Sequence, residues 1–391
     1  MFCLLIEEES FKHDVPDDLH LRVSPAIWFR LPEKYLKNKA CRADKLVISY
    51  LCKRLQKIFE VDIVATIREV AKEAGVSVAT VSRVMNGSGY AHEDTRKVVM
   101  AAVEKLNYKP NEVARSLYNR KSKLVGLILP DITNPFFPEM ARGVEDYLQQ
   151  FGYRLIFGNS DEKRDKEIEY IDTFLQNNVV GIIASTSEEA NENFDNLKIP
   201  VVLLDRTAEN LPAVYSDQKT GGRLAARVLL DRGSTNIVLI RGPVEIKPVY
   251  ERYTAAMEEL TQAKVNVQVM DSSLTLQGGQ VCVRQLFEQY PETDGIIACN
   301  DIVAAAALQE ILKRGIRIPE DIQLIGYDDI AFTALLHPPL STIRQPAYEM
   351  GAQAAEMLIR KINQEKIEET HKKLPVSFVE RQTTRRKVEK P

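Results

Sequence analysis

Two sets of residues in this chain have the types and spacing to do chemistry. The first is Val78-Ala79 with Arg83. Small or apolar side chains at the front of a helix meet thymine methyl groups, and an arginine behind them pairs with the acceptor edge of guanine. The second set follows a series of apolar runs: Asn134-Pro-Phe-Phe137, Asp205-Arg206, Arg252, Asn300-Asp301, Asp328 and Gln345. Carboxylates accept from hydroxyls, arginines and amides donate, and aromatic rings cover an apolar face, so this set suits a small neutral polyol. Paired Asp and Arg are expected to keep each other charged, so no charged ligand is required. Each residue also has a plainer use. An Asp-Arg pair such as Asp205-Arg206 is more often a surface ion pair, Phe136 and Phe137 are more often core, and Asn300-Asp301 reads first as a helix cap.

Enzyme chemistry is not legible. His13, His20, His92, His337 and His371 are scattered, no phosphate-binding loop or GxSxG elbow occurs, and no Cys/His spacing suits a metal. The chain reads as a non-enzyme without cofactor or metal. Cys3, Cys41, Cys52, Cys282 and Cys299 form no CxxC pair, which points to reduced thiols and a cytoplasmic setting. No run of about 18 apolar residues offers a membrane span. Glu7, Glu8 and Glu9 stand where a secretory signal would be basic.

The elements that must position these residues follow from patterning. The 391 residues suffice for two or three domains, and 45% hydrophobic with 27% charged residues is a globular composition. The net charge is −3, yet residues 64–123 carry 11 Lys and Arg against 6 Asp and Glu. A basic head on an acidic body suits a nucleic-acid partner. Within the head, Ile67, Val70, Ala71 and Ala74 mark the buried face of a helix over Thr66–Glu73. Gly75 permits a sharp turn, and Ser77 caps a second helix over Val78–Met85. There Val81, Val84 and Met85 face inward and Val78, Ala79 and Arg83 outward. A third helix, Asp94–Leu106, is expected to pack through Val98, Val99, Ala102, Val103 and Leu106. Polar, basic residues from Asn119 to Lys123 suit a linker. Beyond Leu124 short apolar strands alternate with amphipathic helices. The strands are Leu124–Leu129, Tyr153–Gly158, Val180–Ser185, Val201–Leu204, Ile237–Ile240, Gly295–Cys299 and Gln323–Tyr327. The helices include Phe137–Gln150, Thr220–Arg232, Val249–Leu260 and Asp301–Arg314. Such alternation predicts two doubly wound parallel sheets, with a ligand beyond the carboxyl ends of their strands.

The stretch Ala65-Thr-Ile-Arg-Glu-Val-Ala-Lys-Glu-Ala-Gly-Val-Ser-Val-Ala-Thr-Val-Ser-Arg-Val-Met-Asn86 closely resembles the head of the LacI/GalR family of bacterial repressors. The resemblance continues through Asn107-Tyr-Lys-Pro-Asn-Glu-Val-Ala-Arg-Ser-Leu117 and on to about Thr383. It implies an all-α helix-turn-helix head and an α/β body of two doubly wound subdomains of the periplasmic-binding-protein type. It implies double-stranded operator DNA as a partner, held by a homodimer on a pseudo-palindrome. The DNA-binding positions so implied are Thr66, Ser77, Val78, Ala79, Thr80, Ser82, Arg83, Asn86, Asn111, Ala114, Arg115 and Leu117. Asn111–Tyr118 corresponds to a hinge helix, with Leu117 as an apolar wedge in the minor groove and Asn111, Arg115 and Ser116 as phosphate contacts.

The body also resembles periplasmic sugar receptors, the ribose receptor among them. Pocket residue types of that receptor recur at Asn134, Phe136, Phe137, Asp205, Arg206, Arg252, Asn300, Asp328 and Gln345, which makes D-ribose the leading effector. Where that pocket carries a further aromatic, this chain has Ser272-Ser273-Leu274. The expected activity is repression of a sugar operon, released by the sugar. A catabolite-control regulator that binds a phosphorylated carrier protein, and a purine-type repressor with a corepressor, stay open beside it. The implied divisions are 64–110 for DNA binding, 111–123 for hinge and linker, and 124–385 for ligand binding and dimerisation. In the last, an N-subdomain (124–218 with 346–374) joins a C-subdomain (219–345 with 375–385), followed by a tail, 386–391. Residues 1–63 carry no motif, and a short helix is expected at Leu46–Phe59. They read as an extension, or as the product of a start site placed upstream of Val64.

Overall fold

The computed structural model describes residues 20–24, 27–30, 65–86, 90–108, 122–186, 193–194 and 197–386. It divides into a unit up to Pro110 and a unit from Asn111. The expected helices at Leu46–Phe59 and Asn111–Tyr118 lie outside the described residues. So do Asn111, Ala114, Arg115 and Leu117.

In the first unit β1 (His20–Ser24) and β2 (Ile27–Arg30) pair antiparallel, with Arg22 opposite Trp28, a hairpin that the sequence patterning did not indicate. Three helices follow: α1 (Ile67–Ala74), α2 (Val78–Asn86) and α3 (Glu93–Lys105). The first begins one residue later than the spacing predicts, because Thr66 is its cap. Thr66 Oγ1 accepts from the Glu69 N–H at 3.4 Å, and Glu69 Oε2 accepts from the Thr66 N–H at 2.7 Å. This reciprocal box satisfies two donors that the first helical turn leaves unpaired. It also holds the exposed Glu69 carboxyl below its ordinary range. Gly75 ends the helix at φ +65°, where a side chain would be strained. The N–H of Val76 reaches back to Ala71 O at 3.0 Å and that of Gly75 to Lys72 O at 3.4 Å. Ser77 Oγ then accepts from the Thr80 N–H at 3.1 Å and starts α2. Val70, Ala71, Ala74, Val81, Val84, Val99 and Ala102 form the core of the unit. Val98 is not in it: the side chain is 50% exposed. Neighbouring helical residues point about 100° apart, and the inward direction belongs to Val99, Ala102, Val103 and Leu106.

The second unit holds two six-stranded sheets. In chain order its elements are β3 (Leu124–Leu129), α4 (Phe136–Gln150), β4 (Arg154–Asn159), α5 (Arg164–Gln176), β5 (Ile182–Ala184), β6 (Val201–Leu204) and β7 (Ala213–Ser216). Next come α6 (Gln218–Asp231), β8 (Asn236–Arg241), α7 (Lys247–Gln262), β9 (Asn266–Asp271), α8 (Leu276–Gln289) and β10 (Gly295–Ile297). The series ends with α9 (Asp301–Lys313), β11 (Gln323–Asp328), β12 (Ser341–Arg344), α10 (Ala347–Ile362), β13 (His371–Leu374) and β14 (Ser377–Val379). One sheet has the order β13-β7-β6-β5-β3-β4 and is wholly parallel. The other has the order β14-β12-β11-β10-β8-β9, in which only β14 runs antiparallel. Strands such as Leu-Val-Gly-Leu-Ile-Leu at β3 are apolar throughout because helices cover both faces of a parallel sheet.

The chain passes from one sheet to the other between β7 and α6, between β12 and α10, and between β13 and β14. Each half has its own core on both faces of its sheet. In the first half α4 and α10 cross at glycines. A Cβ on Gly143 would stand 2.0 Å from Tyr348 O, and one on Gly351 would stand 2.0 Å from Met140 O. Only the missing side chains allow the two backbones to meet there.

Candidate functional site

On α2 successive residues turn by about 100°, so positions 78, 79, 82, 83 and 86 share one arc opposite Val81 and Val84. Val78, Ala79 and Arg83 are exposed on it, and Ser82 is half-buried. Among the described residues no acid forms an ion pair with Arg83, which leaves the guanidinium available to a base edge or a phosphate. Val78 is apolar and 41% exposed. The hydroxyls of Thr66, Ser77 and Thr80 serve the helix ends, and that of Thr80 lies 2.9 Å from Ser77 Oγ. Asn86 closes α2.

In the body the predicted residues gather at the carboxyl ends of both sheets. After β3, Asn134 Oδ1 accepts from the Phe136 N–H at 3.1 Å and opens α4. Phe136 and Phe137 meet edge to face, 5.4 Å between centroids, and both belong to the apolar core of that half. After β6, Asp205 takes φ +65°, and its Oδ2 lies 3.5 Å from Arg206 Nε. The shorter bond of Arg206 goes to Glu162 Oε1 at 2.7 Å, from the loop after β4. In the other half, Arg252 Nη1 lies 3.1 Å from Cys299 O and 3.5 Å from Asp328 Oδ1. Its guanidinium stacks 4.1 Å above the Tyr327 ring. Asp328, at φ +111°, also accepts from Gln345 Nε2 at 2.7 Å. Left-handed backbone at Asp205 and Asp328 is strain of the kind that collects at functional sites. Asn300 caps α9 by accepting from the Val303 N–H at 2.8 Å and donates to Leu274 O at 3.0 Å. Leu274, where an aromatic was the alternative, packs partly into the core of this half.

The two clusters face each other. Ile330 from the second half belongs to the apolar cluster that holds Phe136 and Phe137 of the first, and the half-buried Ile302 and Phe332 pack against that cluster. Asp205 feels the charge of Arg252. One expectation is corrected here. Pairing with arginine does not keep the aspartates in their ordinary range, because burial outweighs it. Burial pushes the Asp328 carboxyl up to about 7 against the pull of Arg252. Asp205 is also raised by burial, against Arg206 and Arg252, and Asp301 is raised well above its usual value. At 3.5 Å both arginine–aspartate pairs are loose, and each guanidinium makes its closer bond elsewhere.

The site has residues that the sequence did not single out. Ser185 and Thr186 follow β5, and the register of β5 on β6 places Thr186 beside Asp205. Among the described residues Ser185 Oγ, Thr186 Oγ1, Asp205 Oδ1 and Arg206 Nε are buried without a hydrogen-bond partner just past the ends of β5 and β6. Tyr327 OH is unpartnered too, but it lies in the core of the second half against Gly221 of α6. Buried polar atoms are normally paired, so the group at the strand ends makes that end of the sheet the candidate place for a hydroxyl-rich ligand. Ser185 and Thr186 sit one and two residues past β5, a positional signal that could have found them. No group of three or more His, Cys, Asp or Glu among the described residues is placed to hold a metal. Cys282 and Cys299 are free and buried, and burial pushes the Cys299 thiol up to about 12.

The chain belongs to the lacI family of bacterial regulatory proteins. Residues 66–111 match the profile described as "Bacterial regulatory proteins, lacI family", and residues 205–384 match "Periplasmic binding protein-like domain". Among its relatives is the ribose operon repressor of Bacillus subtilis (strain 168), 54% identical over 323 residues, 82% of this chain and 99% of that protein. The structure is similar to a LacI family transcriptional regulator from Enterococcus faecium with bound ribose. That match has a TM-score of 0.62 at 31% identity, over 67% of this chain and 98% of the other. It is also similar to the lac repressor dimer bound to operator and the anti-inducer ONPF, with a TM-score of 0.76 at 25% identity, over 82% and 99% of the two chains.

Proposed function

We propose that this chain is a transcriptional repressor whose grip on operator DNA is released by a small sugar, D-ribose. It acts as a cytoplasmic homodimer and is not an enzyme. The observation that carries this reading is the set of unpartnered buried donors and acceptors at the strand ends of the first sheet, in a chain that also carries a helix-turn-helix. Four such atoms from Ser185, Thr186, Asp205 and Arg206 ask for hydroxyl groups. Asn134, Asn300, Asp328, Arg252 and Gln345 surround them with further hydrogen-bonding groups, and Phe136 and Phe137 supply the apolar face. Relatives that carry ribose in their names or as bound ligand support the choice of sugar. No helix among the described residues is long and apolar enough to cross a membrane.

The mechanism runs through two equilibria. Val78, Ala79 and Arg83 of each protomer read one half-site in the major groove, while Ser82, Asn86 and the caps Thr66, Ser77 and Thr80 hold the backbone. Asn111, Ala114, Arg115 and Leu117 form the hinge at the operator centre. Sugar draws the two halves of the body together and alters how protomers meet, which costs the hinge its paired geometry. Coupling is reciprocal, so sugar and operator weaken each other by the same factor. A fluorescence-anisotropy titration of labelled operator, repeated with ribose, other pentoses, hexoses and purines, tests the scheme. Ribose is expected to weaken operator binding tenfold or more. A purine that tightens it, or indifference to every sugar, overturns the scheme.

A further inference from the structure

The three passages of chain between the halves of the body are joined to one another by hydrogen bonds. The first is Ser216-Asp217-Gln218, the second Gln345-Pro346, and the third Lys373-Leu374-Pro375-Val376, each counted from within a residue of the end of the strand before it. Gln345 Oε1 accepts from Gln218 Nε2 at 2.7 Å and from the Ser216 hydroxyl. Gln218 Nε2 also donates to Ser216 Oγ at 2.8 Å. The far end of the Gln345 amide donates to Asp328 Oδ1 at 2.7 Å. Asp217 brings in the third passage: its N–H donates to Leu374 O at 2.9 Å, and its carboxylate pairs with Lys373 Nζ at 3.1 Å. Ser216, Gln218, Gln345 and Asp328 are all buried.

An amide has the same shape turned either way round but opposite chemistry at its two ends. Two donors on Gln345 Oε1 admit one orientation only, with Nε2 toward Asp328. Without them the amide is free to turn and set its oxygen against a carboxylate. We propose that Gln218, together with Ser216, is a positioning residue of the sugar site. It fixes the Gln345 amide on Asp328 and thereby ties that acid to the passages about which the halves move. The proposal rests on the sugar reading given above. A ligand that grips Asp328 then biases the passages, and a movement of the first passage against the second changes the hydrogen bonding of Asp328. Neither residue has to contact the sugar to affect its affinity.

The test is a double-mutant cycle on the full chain, with ribose affinity read by calorimetry. Gln218→Leu keeps the bulk of the side chain and removes the donor. It is expected to weaken ribose by about tenfold, the size of one lost buried hydrogen bond. Gln345→Leu should weaken it at least as much, and the double variant no further than Gln345→Leu alone, because both act through one amide. A merely structural role for Gln218 makes the two losses multiply, and that outcome overturns the proposal, as does a Gln218→Leu chain that binds ribose unimpaired. Ser216→Ala removes the second donor and runs the same cycle should Gln218→Leu fail to fold. If the unaltered chain gives no ribose heat, the sugar reading falls and takes this proposal with it. If that chain binds ribose and the losses multiply, the proposal falls alone.

Discussion

Arg252→Met takes away the cation paired with Asp328 and keeps most of the aliphatic length of the side chain. The guanidinium lies 3.5 Å from Asp328 Oδ1, 3.1 Å from Cys299 O and 4.1 Å above the Tyr327 ring. Removing one partner of a buried pair costs about 3–5 kcal/mol when the remaining charge has no escape. Asp328 has one, since a buried carboxyl can bind a proton. In the unaltered chain burial has already raised it to about 7. A carboxyl raised above its unfolded value gives stability that is complete below that unfolded value and is lost as pH rises through the folded one. For Asp328 the loss therefore ends near pH 7. Without Arg252 the folded value is higher still, so the loss continues above pH 7 at roughly 1 kcal/mol per pH unit. The variant's deficit should be about 1–2 kcal/mol at pH 5.5, from the carbonyl and ring contacts alone. It should widen to about 3 kcal/mol at pH 8.5. Urea unfolding of the body at pH 5.5, 7 and 8.5 measures it. A deficit that is constant with pH, or that shrinks as pH rises, refutes the reasoning.

Sugar hydroxyls that donate to Asp328 favour its charged form, so ribose affinity should rise between pH 5.5 and 8 with release of a proton, and Asp328→Asn should flatten the profile. Calorimetry in buffers of different ionisation enthalpy counts that proton. Ser185→Ala and Thr186→Val should each weaken ribose by about tenfold if their hydroxyls bond the ligand; unchanged affinity would place them outside the site. Arg83→Ala should cost about 1–3 kcal/mol at a single base position, and a uniform loss over all operator variants would make it a phosphate contact instead. Gly143→Ala sets a methyl against the Tyr348 carbonyl and should lower stability by several kcal/mol, roughly as overpacking does, whereas Gly75→Ala strains only a turn. Melting temperatures of the two variants, compared side by side, decide this.

The head was the more legible part because its signals are local. Thr66 and Glu69 stand three apart, Gly75 marks the turn, and Ser77 starts the next helix. Val98 misled because adjacent valines on a helix look equally apolar and only packing decides which one turns inward. In the body the long, wholly apolar strands were plain. β7, β9, β12, β13 and β14 were not, since short or edge strands such as His371–Leu374 carry polar residues and take their pairing from distant chain. The binding residues named from the sequence do gather at the strand ends. Glu162, Ser216 and Gln218 were missed because their parts depend on contacts 44, 129 and 127 residues away. The charge state of the aspartates could not be read at all, as it depends on burial.

That β13 completes the first sheet has a consequence in time. A ribosome delivers the chain from its amino end at roughly 5–20 residues per second. The three helices of the head are whole once Tyr108 has emerged, but the sheet begun at Leu124 lacks its edge strand until Leu374 is made. For roughly ten seconds to a minute, then, each nascent chain carries a folded head ahead of a body that cannot close its first layer. Interrupted synthesis anywhere in that interval leaves a reader of DNA with no intact half to regulate it.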